Sequence, residues 1–210
     1  MNGLFNLTFF IGLLSQILFS ARMIVQWIAS EKARKVLSPN LFWELSLAGS
    51  LLFCIYGWMR NDFAILLGQS IAYYIYIWNL RIKGVWTSLH PAFRTAFIIL
   101  PCAAFAWFLM HGQETFARLF AQEDIPLPLI LFGTGSQIVF TLRCVYQWWY
   151  SRRAGTSLLP VTFWVISLTG SLLIIVYAIL RRDPVLLLGQ GCGALVYARN
   201  IMIGCREKRS

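Results

Sequence analysis

Long runs of apolar residues alternate along the chain with short polar breaks. Each run is about 20 residues, the length of helix that crosses a hydrocarbon layer about 30 Å thick. They place spans at about Gly3–Ala29, Leu41–Met59, Phe63–Leu80, Ala92–Met110, Pro126–Tyr150, Val161–Leu180 and Pro184–Gly204. The runs are continuous rather than alternating, which predicts helices and excludes a membrane barrel. Ser30–Asn40 reads as a polar loop, and His111–Asp124 as a polar, acidic stretch with a short surface helix. Pro39 and Pro160 open helices where a missing N–H is tolerated. Asp62 and Asp183 are expected to cap the helices that follow them.

The chain repeats itself. An offset of 121 residues, taking Gln26 to Gln147, aligns Gly12–Ile82 with Gly133–Ile203 without a gap. About 30 of about 71 positions are identical, beyond what shared hydrophobicity produces. Three spans invert a unit relative to the next, and the fourth span turns it back, so both units face the same way. The predicted fold is all-α and integral to a membrane: seven transmembrane helices as 3+1+3, two parallel triple-helix repeats with a linker helix. Residues 1–83 form the first repeat, 84–125 the linker helix and outer loop, and 126–210 the second repeat. The linker is expected to face lipid or brace the first half.

Composition agrees with this. Residues of hydrophobic type make up 59% of the chain and charged ones only 12%, too few to cover a soluble domain. The net charge of +10 sits at span ends, which points to topology and anionic phospholipids as partners rather than nucleic acid. Lys32, Arg34, Lys35, Arg81, Lys83, Arg152, Arg153 and the tail share one side, and the acidic 111–124 loop the other. The N-terminus is therefore expected outside and the C-terminus in the cytoplasm. No cleavable signal peptide is expected, since the first positive charge, Arg22, follows an apolar run too long for one. The five cysteines contain no CxxC and read as reduced packing residues.

Polar side chains inside spans are expensive unless they have work to do. Arg22 lies about 12 Å before the loop, and Gln26 one turn further on the same face. Arg143 and Gln147 repeat the pair. Asn79 and Asn200 fall near the cytoplasmic ends of their spans, one turn after Tyr76 and Tyr197, with Arg199 beside Asn200. Together these would suit a phosphate or a sugar. The alternatives are arginines that snorkel to headgroups and amides that bond helix to helix. Gln69 and Gln190 are candidates for a midplane polar contact, and Trp27, Trp43, Trp148 and Trp164 for the walls of a site. Glu44, the one acidic residue within a span, is expected to pair with Arg22 or Arg143, or to sit at the interface. The Ser-x-x-Gly-Ser stretches at Ser46–Ser50 and Ser167–Ser171 read as close-packing faces. No metal-ligand cluster, nucleophile elbow, phosphate-binding glycine loop or apposed carboxylate pair is found, so neither catalysis nor a cofactor is expected.

The string Arg22-x-x-x-Gln26-Trp27-x-x-Ser30-Glu31-Lys32, then Pro39-x-x-Phe42-Trp43-x-x-Ser46-x-x-Gly49-Ser50, resembles the lipid-A-disaccharide synthase N-terminal-domain family. So does Arg181-x-Asp183-Pro184 through Gly189-Gln190 to Tyr197-x-Arg199-Asn200. The two repeats differ at Phe63 against Pro184, Trp78 against Arg199, and Glu31 against Arg152. That family is similar to the PQ-loop and three-helix-repeat sugar transporter superfamily, which implies a site between the two bundles. The resemblance also implies lipid A biosynthesis and a bacterial inner membrane, while the family name's glycosyltransferase portion has no counterpart in these residues. The expected role is flippase-like binding or translocation of a lipid-linked sugar or polyprenyl phosphate for envelope glycolipid. Arg22, Arg143 and Arg199 would hold phosphate; Gln26, Gln147, Asn79 and Asn200 would hold sugar or phosphate oxygens. The rival is a non-transporting subunit that anchors a membrane glycosyltransferase.

Overall fold

The computed structural model describes residues 2–59, 63–111, 126–182 and 184–207. Among them the chain is helical, with no strand: α1 (Asn2–Ala33), α2 (Asn40–Met59), α3 (Phe63–Ile82), the one-turn α4 (Val85–Ser88), α5 (Pro91–His111), α6 (Leu127–Ala154), α7 (Val161–Arg181) and α8 (Pro184–Glu207). Among the described residues four helices are long and apolar enough to cross a membrane, over Leu7–Ala33, Asn40–Met59, Leu127–Ala154 and Val161–Leu180. The expected surface helix after His111 and the caps at Asp62 and Asp183 lie outside the described residues.

The distribution of polarity is the reverse of a water-soluble protein. Arg22, Gln26, Asn79, Arg143, Gln147, Asn200 and a series of serines are buried, while Phe10, Ile17, Ile24, Leu131, Ile138, Leu172 and Ile179 face outward. An apolar exterior around a polar interior is stable when the surrounding solvent is lipid. The protein is a helical membrane-associated one.

Helix α1 runs past the expected loop start at Ser30 to Ala33. Hydrophobicity ends at Ser30-Glu31-Lys32, but helix propensity does not. The helix stops where Arg34 turns left-handed, at φ 53°, and α6 stops at the equivalent Gly155, at φ 67°. Proline then starts the next helix in each half: Phe42 N–H bonds to Pro39 O, and Phe163 N–H to Pro160 O. The small α4, unforeseen in the sequence, buries Trp86 against Phe97 of α5.

Within each half three helices pack together, α1–α2–α3 and α6–α7–α8. Across the halves α1 packs on α8 and α3 on α6. Because α1 corresponds to α6 and α3 to α8, these are one contact made twice, as a twofold axis between the halves requires. The bonded residues across both contacts lie near the C-terminal ends of their helices, so the paired helices run in the same direction. Helix α5 sits outside this arrangement and braces the first half, where the Tyr74 hydroxyl donates to Ile98 O at 2.9 Å.

Candidate functional site

Two layers of polar residues lie between the halves. The first, toward the loops, is an amide layer. The Gln26 amide nitrogen donates to Asn200 Oδ1 at 2.8 Å, and Asn200 Nδ2 returns a bond to Gln26 Oε1 at 3.0 Å. Gln147 and Asn79 repeat this at 2.9 and 3.0 Å. Each glutamine also reaches the loop that follows its own helix. Gln26 meets Ser30 Oγ at 2.8 Å and Leu37 O at 3.3 Å, and Gln147 meets Ser151 Oγ and Leu158 O, both at 2.9 Å. The serines in turn accept the Leu37 and Leu158 N–H groups. One side chain thereby ties its helix, its loop and the opposite half.

This layer is complete in itself. Each glutamine nitrogen, with two hydrogens, is surrounded by three acceptors, and each asparagine uses its second hydrogen on Ile75 O or Val196 O in its own helix. All four amides are fully buried. In this structure the hydrogens of Gln26, Gln147, Asn79 and Asn200, expected to meet sugar or phosphate oxygens, bond to one another, to Ser30 and Ser151 and to backbone carbonyls, which is the helix-to-helix alternative. The layer is not perfectly symmetric. Trp43 Nε1 donates to Ser38 Oγ at 2.8 Å, Ser38 and Ser157 meet at 3.1 Å, and Ser157 donates to Asn79 Oδ1 at 2.7 Å. In the other copy Leu159 and Val36 stand at the positions of Ser38 and Ser157, and the buried Trp164 Nε1 has no partner.

The second layer is a narrow cleft one turn deeper, with about 10 Å³ of free space, room for roughly one water. Arg22 and Tyr76 line it from the first half, Arg143 and Tyr197 from the second, with Phe42, Trp43, Ile75, Cys144 and Phe163 among its walls. Arg22 Nη1 donates to Ser46 Oγ at 2.9 Å and to the Tyr76 hydroxyl at 3.0 Å, while its Nε is buried without a partner. Arg143 Nη1 reaches the Tyr197 hydroxyl at 3.4 Å, and its guanidinium also meets the Cys144 thiol and lies 3.4 Å from the centre of the Phe140 ring. Both arginines are 7% exposed. Among the described residues no carboxylate pairs with either. These arginines do not snorkel; they point inward.

The other candidates are elsewhere. Glu44 is exposed and pairs with neither arginine. It is two residues from Ser46, the Arg22 partner, and two residues is about 200° around a helix, the opposite face. Arg199 is not at the cleft but forms an exposed ion pair with Glu31 across the α1–α8 contact, its Nε 3.0 Å from Glu31 Oε2. Gln69 stays within its own half, where its Oε1 accepts from Ser50, and in the second half Ser171 donates to the backbone carbonyl of Gln190. Trp27 is 39% exposed on the outer face, and Trp148 is half-buried beneath Arg152. Trp43 lines the cleft, whereas Trp164 packs behind Tyr197. The residues that sequence reasoning passed over as site members are Tyr76, Tyr197 and Ser46, although both tyrosines recur at the same offset as the arginines.

Comparison with known proteins follows the duplication. The family described as Lipid A Biosynthesis N-terminal domain matches this chain twice, at residues 11–81 and 132–202. The lipid-A-disaccharide synthase of Chlamydia pneumoniae is 31% identical over 217 residues, covering 100% of this chain and 35% of the relative. That of Chlamydia caviae is 29% identical over 95% of this chain and 33% of its own length, and that of Chlamydia trachomatis 28% over 94% and 34%. The chain thus spans about a third of the length of these curated relatives. No solved structure matches.

Proposed function

Because the chain belongs to the Lipid A Biosynthesis N-terminal domain family, we propose that it is a non-transporting membrane subunit that anchors a glycosyltransferase of lipid A or related glycolipid synthesis. The observation that carries this is coverage. In the relatives the same region lies within a chain about three times as long that is named lipid-A-disaccharide synthase. A membrane region that lies beside an enzyme in the relatives can hold a glycosyltransferase at the membrane here. In this proposal all seven long helices span the bacterial inner membrane as 3+1+3, with the N-terminus outside and the basic C-terminus in the cytoplasm. A labelling site at Gln122 then reacts from outside only, and sites at Lys35 and Lys208 from the cytoplasm only.

The test is retention of activity. The affinity-tagged chain, extracted in mild detergent from its own membranes, should carry glycosyl transfer from a nucleotide sugar to a lipid acceptor above that of a mock extract. An eluate rich in intact chain and devoid of transfer would sink the anchoring role. A second role, translocation of a lipid-linked sugar, is favoured by one observation: two parallel halves meet around a charged, buried cleft.

A further inference from the structure

Two cations share the cleft between the halves, and among the described residues nothing anionic accompanies them. A buried charge is stable only when paired and hydrogen-bonded, and truncated pairs are strongly destabilising. Arg22 has two neutral hydroxyl partners and an orphaned Nε, and Arg143 a long bond to a tyrosine and a contact with the Cys144 thiol, both neutral. A guanidinium carries five donors, so most of the donor capacity at Arg143 is unused. Neutral hydroxyls are weak substitutes for an oxyanion, and each tyrosine still has its own proton to donate. We infer that the cleft binds one phosphate group carried on a lipid, gripped by Arg22 from the first half and Arg143 from the second, with Tyr76 and Tyr197 as flanking donors.

Charge and surroundings select this ligand class. A phosphate monoester carries about −1.5 to −2 at neutral pH, which matches two guanidiniums and exceeds one carboxylate. The walls beside the arginines are Phe42, Ile75 and Phe163, and the outer faces of the helices are apolar, so the group arrives from lipid rather than water. The cleft as it stands holds about one water, so the phosphate takes the place of the tyrosine hydroxyls as arginine partner and the rings give way. This rests on the lipid A reading only for the lipid carrier; the arginine pair stands without it.

The test uses the full chain purified in detergent, with farnesyl phosphate, farnesol and inorganic phosphate as probes and thermal unfolding and tryptophan fluorescence as readouts. Farnesyl phosphate should raise the unfolding midpoint and saturate, and farnesol should not. Arg143→Lys and Arg22→Lys should each weaken farnesyl phosphate at least tenfold, because lysine lacks the planar fork that meets a phosphate with two bonds. Gel filtration and near-ultraviolet dichroism check the fold. Arg143→Lys decides the matter if Arg22→Lys misfolds, since the internal bonds of Arg143, to Tyr197 and Cys144, are weak. Equal binding of farnesol, or unchanged affinity in Arg143→Lys, overturns the proposal. Inorganic phosphate binding as tightly as farnesyl phosphate overturns the lipid carrier and assigns the cleft to free phosphate. The purified chain is used alone, so loss of a glycosyltransferase during extraction leaves this measurement intact.

Discussion

Removing Asn79 from the amide layer should cost more than removing its repeat mate Asn200, and the structure sets the size of the gap. Asn200→Ala breaks the two reciprocal bonds with Gln26 and leaves the Gln26 Oε1 buried at zero exposure. Interhelical hydrogen bonds inside membranes average about 0.6 kcal/mol, and an unsatisfied buried group costs about 1–3 kcal/mol. Together these give about 2–4 kcal/mol. Asn79→Ala breaks the equivalent pair with Gln147 and also removes the bond from the Ser157 hydroxyl, which donates to Asn79 Oδ1 at 2.7 Å. One further bond adds about 1 kcal/mol. The assay is reversible unfolding in mixed micelles of dodecyl maltoside and SDS, followed by tryptophan fluorescence. A double-mutant cycle over Asn79→Ala and Gln147→Ala should return a coupling of about 1–3 kcal/mol, because the two side chains share both bonds. Losses below about 0.5 kcal/mol at both asparagines, or a coupling near zero, would refute the account of the amides as the lock between the halves.

The internal repeat supplies matched controls for the other predictions. Arg34→Gly should stabilise the protein by about 1 kcal/mol in the same assay, since Arg34 holds the left-handed φ that Gly155 adopts without strain in the second half. Gly170→Ala should destabilise by about 1–3 kcal/mol: an added Cβ would sit 2.8 Å from the Phe140 Cα, backbone that cannot rotate away. Trp43→Phe should cost about 1–3 kcal/mol more than Trp164→Phe, because both remove the same ring but only Trp43 Nε1 has a partner, at Ser38. Equal losses for the two tryptophans would show that Trp164 finds a partner the structure does not contain.

The helices and the repeat were legible because both signals are long. Apolar runs of membrane length cannot be packed any other way, and dense identity at a fixed offset has no bland explanation. Position on the helix was legible too but went partly unused. Glu44 and Ser46 cannot share a face, and Tyr76 lies one turn from Asn79 on the face that Arg22 meets. What no pattern in one chain reveals is which repeated polar residues satisfy each other. Gln26, Asn79 and their mates have the same types and burial whether they bond across the halves or hold a ligand. Only the register of α1 on α8 and α3 on α6 decides, and that register depends on the packing of all six helices. Arg199 failed for a related reason: its neighbour Asn200 points inward, and one residue is about 100° of rotation, enough to turn it toward Glu31 at the edge.

Duplication makes the difference between the two polar layers informative. An amide is both donor and acceptor, so two copies facing each other complete one another, and a repeated Gln–Asn pair closes without outside help. A guanidinium only donates, so two copies facing each other across the same axis repel and leave donors unused. The same symmetry that satisfies Gln26 with Asn200 and Gln147 with Asn79 cannot satisfy Arg22 with Arg143. Tyr76 and Tyr197 relieve the arginines partly, with neutral oxygens. Structural hydrogen bonding therefore accounts for the amides and stops short of the arginines. In a chain whose apolar exterior makes each buried charge expensive, two cations kept one turn from a self-sufficient layer are what the proposed lipid phosphate would account for and the fold alone does not.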